Sequence, residues 1–355
     1  MKIDTLIFDM DGVITTEEKY WACVRLTLWE LITTTLGLNN AFGDAVNDEG
    51  IRESVVPDEL IYALKGRAVN SNWDITYIVT CTYLAAVPGA TVLSAPDIES
   101  FLEALHDTVE EPAPWPQALQ HFLAHTGGAK GRALVQEAGH RLCVALEFNQ
   151  EDLLRADGPM WWYLHDRFQR FYSGEAMQAY SAAPLTDGTV IAHERIAAAL
   201  KRLHDSGYTL GVASGRPRNE LDDALGHLGL LDYFAPNHLG TFDVVHQAET
   251  KLGVVGLAKP HPLSLMRALY PDESLERLLN EDFQKQKRPN VVVIGDATSD
   301  VIMAKSAGCR SVGVLTGVRG PEARQERHIL LEHAGVEAIL DDITEVPDWL
   351  EGQID

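Results

Sequence analysis

The stretch Leu6-Ile-Phe-Asp-Met-Asp-Gly-Val-Ile-Thr15 decides how this 355-residue chain folds. Three apolar residues run into two acids, Asp9 and Asp11, with one residue between them. A short apolar run closed by a turn signal reads as a buried strand. Strands of that kind belong to parallel sheets covered on both faces. Asp9 then stands at the strand's carboxyl end, where open α/β sheets present their ligands. Asp11 follows in the loop, which can aim it at the same point, and Gly12 lets the backbone turn sharply. Two such carboxylates can divide a reaction, one attacking as nucleophile and the other moving a proton. A solvated acidic turn at a strand end is the structural alternative.

Three further segments bear on that choice. Thr209-Leu-Gly-Val-Ala-Ser214-Gly-Arg-Pro217 is a second apolar strand ending in a small hydroxyl residue and Gly215. In Leu257-Ala-Lys-Pro-His-Pro262, Lys259 is expected to open a helix, with Pro260 and Pro262 setting φ near its start. Val291-Val-Val-Ile-Gly-Asp296-Ala-Thr-Ser-Asp300 is a third buried strand, running into two acids. Singly, each has a plain alternative: Ser214 as a helix N-cap, Lys259 as a solvated charge, Asp296 and Asp300 as capping residues. Together they form an ordered series of D-x-D, Ser, Lys and D-x-x-x-D.

That series resembles the haloacid dehalogenase superfamily, in its phosphatase branch with a helical cap after the first motif, similar to β-phosphoglucomutase and phosphoglycolate phosphatase. The resemblance implies that Asp9 is the nucleophile and Asp11 the acid/base. Ser214 then holds the phosphoryl group together with the amides around it, Gly215 among them, and Lys259 steadies nucleophile and phosphate. Mg²⁺ is the implied cofactor, held by Asp9, Asp296 and the backbone carbonyl of Asp11, with Asp300 in support. A hard cation with carboxylate, water and phosphate ligands suits that set. An acid at position 11 favours a phosphatase or phosphomutase, because family dehalogenases and phosphonate-cleaving members lack one and transport ATPases carry Thr.

Around these motifs the pattern alternates. Strands are expected at 5–9, 210–214, 242–245, 291–296, 311–315 and 338–340, with helices at 194–206 and 300–307. This predicts a doubly wound, parallel-sheet (Rossmann-like) α/β core over residues 1–14 and 186–355. The interval 15–185 is patterned differently, with helices expected at 21–38, 97–106, 116–125, 132–148 and 158–171. The resemblance implies that this interval is an inserted, enlarged all-helical cap domain that sets substrate specificity. Its aromatics Trp161, Trp162, Tyr163, Phe168, Phe171 and Tyr172 are expected to form cap core.

Within the cap, the segment 65–74 resembles the specificity loop of β-phosphoglucomutase-like relatives, making Lys65, Arg67, Asn70 and Asn72 candidate substrate contacts. An ordinary helix–helix turn capped by Asp74 is the alternative. Arg216 is either a substrate contact or a solvated arginine at a strand end. His261 receives no role.

Composition narrows the class. A net charge of −23 disfavours nucleic acid or an anionic membrane as a partner. Cys23, Cys81, Cys143 and Cys309 form no paired motif and fit a reducing cytoplasm. No signal peptide or membrane-length apolar run is apparent, and oligomeric state is left open. The expected activity is Mg²⁺-dependent hydrolysis of a small phosphorylated metabolite. A phosphomutase is the alternative, although Thr16-Glu-Glu-Lys-Tyr-Trp21 lacks the histidine such relatives carry; a non-catalytic binding protein is a third.

Overall fold

Strand β1 (Thr5–Phe8) lies mid-sheet, and Leu6, Ile7 and Phe8 are each 0% exposed, so none of these side chains can face water. The computed structural model describes residues 2–39, 41–42, 54–92, 94–180 and 184–353. Five more strands complete the sheet: β2 (Thr209–Ala213), β3 (Leu239–Gly240), β4 (Arg288–Gly295), β5 (Cys309–Val314) and β6 (Ala338–Leu340). Their order is β3-β2-β1-β4-β5-β6, and every neighbouring pair is parallel. This is the doubly wound, Rossmann-like α/β class.

Alternate β1 side chains enter opposite layers, as a period of two requires. Leu6 and Phe8 join Leu200, Leu203 and Leu225 on one face. Ile7 joins Val244, Met266 and Met303 on the other. Helix His193–Asp205 buries Ile196, Leu200 and Leu203 on a single face, as its apolar spacing predicts.

The register matters most for function. Phe8 lies level with both Val212 and Ile294. The residues that follow, Asp9, Ala213 and Gly295, therefore emerge side by side at one edge. Strand order reverses direction between β1 and β4, which is the switch point where such sheets bind ligands.

One expected strand is absent. Residues 242–245 open the helix Phe242–Leu252, and the strand before them is only Leu239–Gly240. The β-branched pair Val244-Val245 imitates a strand locally, but with Ala248 it makes one buried helical face on the sheet. Tertiary burial outweighs β-propensity here. Lys259 likewise precedes its helix instead of opening it: Pro262 caps Leu263–Leu269, and the Lys259–Pro260 peptide is cis.

The chain divides into two compact units, Met1–Glu17 with Asp187–Asp355, and Glu18–Thr186. The second is helical among its described residues and has its own core. At its centre is helix Asn72–Ala85, in which Ile75 to Leu84 are buried on all sides. Helices Glu18–Glu30, Arg132–Ala145 and Pro159–Tyr172 pack around it. Ser71 rather than Asp74 caps this helix, accepting a hydrogen bond from the Asp74 amide at 3.2 Å. The Asp74 carboxylate instead accepts from Trp161 Nε1 at 2.8 Å. Trp161, Phe168, Phe171 and Tyr172 are buried in this core, while Trp162 is 45% exposed. Among the described residues no helix is long and apolar enough to cross a membrane.

Tyr77 ties the helical unit together by donating its hydroxyl to the Leu154 carbonyl, and both residues are 0% exposed. Tyr77→Phe leaves that carbonyl buried without its donor and should lower unfolding free energy by about 1–3 kcal/mol. Urea denaturation followed by circular dichroism checks this; an unchanged midpoint would show that the bond contributes nothing net.

Candidate active site

Three strand ends and one turn build the site. Asp9 directly follows β1, and its amide donates to the Ile294 carbonyl at 2.9 Å, which fixes where its side chain starts. Lys259 Nζ lies 2.7 Å from Asp9 Oδ1 and 2.8 Å from Asp300 Oδ1, so one ammonium joins two carboxylates. Asp9 Oδ1 also accepts the Met10 amide at 2.8 Å. Asp300 Oδ2 accepts the Ala297 amide at 3.2 Å, which uses its second oxygen at the start of helix Thr298–Ser306. Carboxylate oxygens of Asp9, Asp296 and Asp300 all lie within 4.8 Å of one another.

The backbone leaves room for these acids only by omitting side chains. Gly12 has φ +82°, and a Cβ there would stand 2.6 Å from Asp296 Cγ. A Cβ at Gly317 would overlap Asp296 Oδ2 from the other direction. Thr316 Oγ1 donates to the Gly12 carbonyl at 2.5 Å and pins the turn after β1 to the loop after β5.

Burial and like charge dominate the electrostatics. Burial raises the Asp9 carboxyl well above the usual range; Lys259 opposes this, while Asp300 and Asp296 add to it. Burial likewise pushes Asp296 up to about 7, with Arg327 opposing and Asp300 and Glu17 adding. Burial alone would pull Lys259 down, but Asp300 and Asp9 outweigh it and raise it above an ordinary lysine. Three carboxylates thus face two cations, Lys259 and Arg327. The donors are all oxygens, the set a hard divalent cation such as Mg²⁺ takes. Asp9 and Asp296 have oxygens to offer it, whereas both Asp300 oxygens are engaged by Lys259 and Ala297. The residues present fit the ion.

The other expected residues fall into two groups. Ser214 is buried just past β2, two residues beyond Val212, the register partner of Phe8. Its amide donates to the Gly240 carbonyl at 2.9 Å and its Oγ accepts the Arg216 amide at 3.1 Å. Gly215 is exposed beside it. Arg216 corrects both sequence readings, because its side chain is 1% exposed and faces neither solvent nor open space. Its guanidinium is committed to Asp11, Asp187 and Thr15.

Lys65, Arg67, Asn70 and Asn72 belong to the helical unit. Lys65 lies in the last turn of helix Asp58–Gly66, Asn70 is exposed, and Asn72 begins helix Asn72–Ala85. Arg67 is corrected as a substrate contact: it donates to the Leu123 and Ala129 carbonyls and to Thr126 Oγ1, at 3.0, 3.3 and 3.4 Å. It closes a turn inside its own unit.

Arg327 was not legible in the sequence. It donates to the Asp296 carbonyl and, at 3.0 Å, to Asp296 Oδ2. It sits in the ordinary-looking charged helix Pro321–Ala334, which carries no motif.

Fold and site together define an open α/β protein with a carboxylate–lysine cluster at its switch point. Residues 3–308 match the haloacid dehalogenase-like hydrolases, and the chain belongs to that family. It is 30% identical over 118 residues to a phosphoglycolate phosphatase of Vibrio vulnificus, covering 33% of this chain and 41% of that relative. A pyrophosphatase of Anoxybacillus flavithermus is 26% identical, with 52% of this chain and 77% of the relative covered. The chain therefore spans less than half the length of the first of these relatives. An X-ray structure from the Northeast Structural Genomics Consortium superimposes with a TM-score of 0.76 at 23% identity, covering 99% of both chains, and shows the same fold.

The raised acids set a pH dependence. Between the ordinary carboxylate range and about pH 7, the folded, metal-free protein holds a proton on Asp296 that the unfolded chain has lost, so the contribution of this group to stability falls as pH rises through that window. Each such group contributes at most about 1.4 kcal/mol per pH unit. Urea midpoints in EDTA should fall from pH 5.5 to 7.5, and Asp296→Asn should flatten the trend. A midpoint that rises over this range in wild type, unaltered by the substitution, is the contrary result.

Proposed function

We propose that this protein is a Mg²⁺-dependent phosphatase for a small phosphorylated metabolite, working through an aspartyl-phosphate on Asp9. The observation that carries this reading is Lys259 bridging Asp9 and Asp300, with Asp296 in the same cluster at the switch point. The phosphatase and pyrophosphatase names of relatives support the substrate class.

In this reading Asp9 attacks phosphorus in line. The bond from phosphorus to the leaving oxygen breaks, and Asp11 gives that oxygen its proton. Asp11 then takes a proton from water, whose oxygen attacks phosphorus, and the bond to Asp9 breaks to release phosphate. Lys259 keeps the Asp9 carboxylate oriented and offsets charge on the transferring group. Ser214 and the Gly215 amide are assigned to the phosphoryl oxygens. Asp9, the Asp11 backbone carbonyl and Asp296 would hold Mg²⁺, which supplies positive charge where an anionic ester meets an anionic nucleophile. Asp300 anchors Lys259.

The helical unit, 18–186, is assigned the choice of ester, with Lys65, Asn70 and Asn72 as its candidate contacts. The cysteines are free, three of them buried, which suits the reducing cytoplasm proposed for the chain.

Asp9→Asn, near-isosteric but unable to attack, should abolish phosphate release from a panel of small phosphate esters while preserving the circular dichroism spectrum. Turnover within about tenfold of wild type, roughly 1.4 kcal/mol, rules out the covalent route. EDTA should stop turnover and Mg²⁺ restore it. Lys259→Ala should cost about 2.7–4 kcal/mol in kcat, as for loss of one charge-stabilising donor; a loss confined to KM would reassign the lysine to substrate binding.

A further inference from the structure

We infer that Arg216 is a positioning residue for the reaction: it holds the Asp11 carboxylate in one orientation, and Asp187 holds Arg216 in turn. The inference rests on the proposed role of Asp11 as acid and base.

Every nitrogen of the guanidinium is engaged. Arg216 Nε reaches Asp11 Oδ2 at 3.0 Å and Oδ1 at 3.2 Å, and Nη2 reaches Oδ1 at 2.6 Å. Nη1 donates to Asp187 Oδ1 at 2.8 Å, and Nη2 also donates to Thr15 Oγ1 at 3.0 Å. Thr15 Oγ1 stands 3.1 Å from Asp11 Oδ1, closing the network. A planar fork that meets both oxygens of a carboxylate fixes its torsion as well as its position, which a lysine ammonium cannot do.

Burial gives the network a direction. Side-chain exposure is 1% for Arg216 and 5% for Asp187, but 21% for Asp11. The accessible end of this chain of charges is therefore the carboxylate that would meet substrate. Its inner end is held by backbone. Thr16 donates its amide to the Gly188 carbonyl at 2.9 Å, and Val190 donates to the Ile14 carbonyl at 3.1 Å. The segments on either side of the helical insertion are thus paired next to Asp187. At its own backbone Arg216 bonds to Ser214 Oγ through its amide, and its carbonyl accepts the Phe242 amide at 2.9 Å. A buried ion pair of this kind is weak evidence for stability. Fixed orientation of a proton-transferring group, in contrast, is what efficient transfer to a leaving oxygen requires.

The test compares kcat/KM for wild type, Arg216→Lys, Arg216→Met and Asp187→Asn across phenyl and alkyl phosphates of graded leaving-group pKa, with Mg²⁺ present. An alkyl oxygen needs its proton as it departs, whereas nitrophenolate leaves without one. Arg216→Met should therefore lose roughly 100-fold on alkyl phosphates but less than about tenfold on p-nitrophenyl phosphate. Arg216→Lys and Asp187→Asn should fall between these and wild type, again with a steeper dependence on leaving-group pKa.

A loss equal across the series, or no loss, overturns the inference. Asp187→Asn keeps shape and leaves Arg216 in place, so it decides the matter if the Arg216 variants fail to fold. Absence of wild-type turnover removes the proposed function and this inference with it. Wild-type turnover that Asp9→Asn abolishes, with leaving-group dependence unchanged in all three variants, removes the inference alone.

Discussion

The crowding of three carboxylates, Asp296 and Asp300 buried and Asp9 partly so, around one ammonium is the constraint on which the rest depends. With oxygens of Asp9, Asp296 and Asp300 within 4.8 Å of one another, any two of them that are both ionised repel by about 3 kcal/mol or more at an effective dielectric of about 20. Nothing in the sheet favours such a cluster for its own sake. It persists because Lys259 bridges two of the acids, Arg327 pairs with the third, and a well-packed fold holds all of them. Crowding of this kind, carried by a stable scaffold, is the arrangement in which the proposed Mg²⁺ and phosphate ester would find their charges already matched.

The scaffold solves the placement through register. Because Phe8 is level with Val212 and Ile294, three strand ends deliver Asp9, Ser214 and Asp296 to one edge without long loops. Rigid strands on both sides leave the acids little freedom to move apart. The lysine arrives differently, from an irregular turn ahead of helix Leu263–Leu269, and its orientation comes from the two carboxylates it meets. The helical unit has a separate apolar core built around helix Asn72–Ala85.

Several features were legible in the linear chain because their cause is local. An apolar run ending in an acid marks a buried strand and its ligand-facing end, so Asp9, Ser214 and Asp296 could be picked out by position. Helix spacing in 194–206 works the same way. The failures share a cause as well. Val244 and Val245 carry strand propensity, yet burial against the sheet makes them helical. Arg67 and Arg216 carry the same charge and each follows a glycine. One is spent on carbonyls within its own turn and the other on a buried network around Asp11. An arginine's partners lie far away in sequence, so its type says only that partners are needed.

What the sequence alone determined was therefore the identity and order of the chemical groups, the alternation that makes a doubly wound sheet, and the presence of a long helical insertion. These follow from periodicity and from residue types at strand ends, which short-range physics governs. Only the tertiary structure decided that Asp300 spends both oxygens on Lys259 and Ala297, that Arg327 pairs with Asp296, and that Arg216 joins Asp11 to Asp187. Those pairings depend on which buried charges find a partner across the fold, and desolvation allows few alternatives once the sheet has closed.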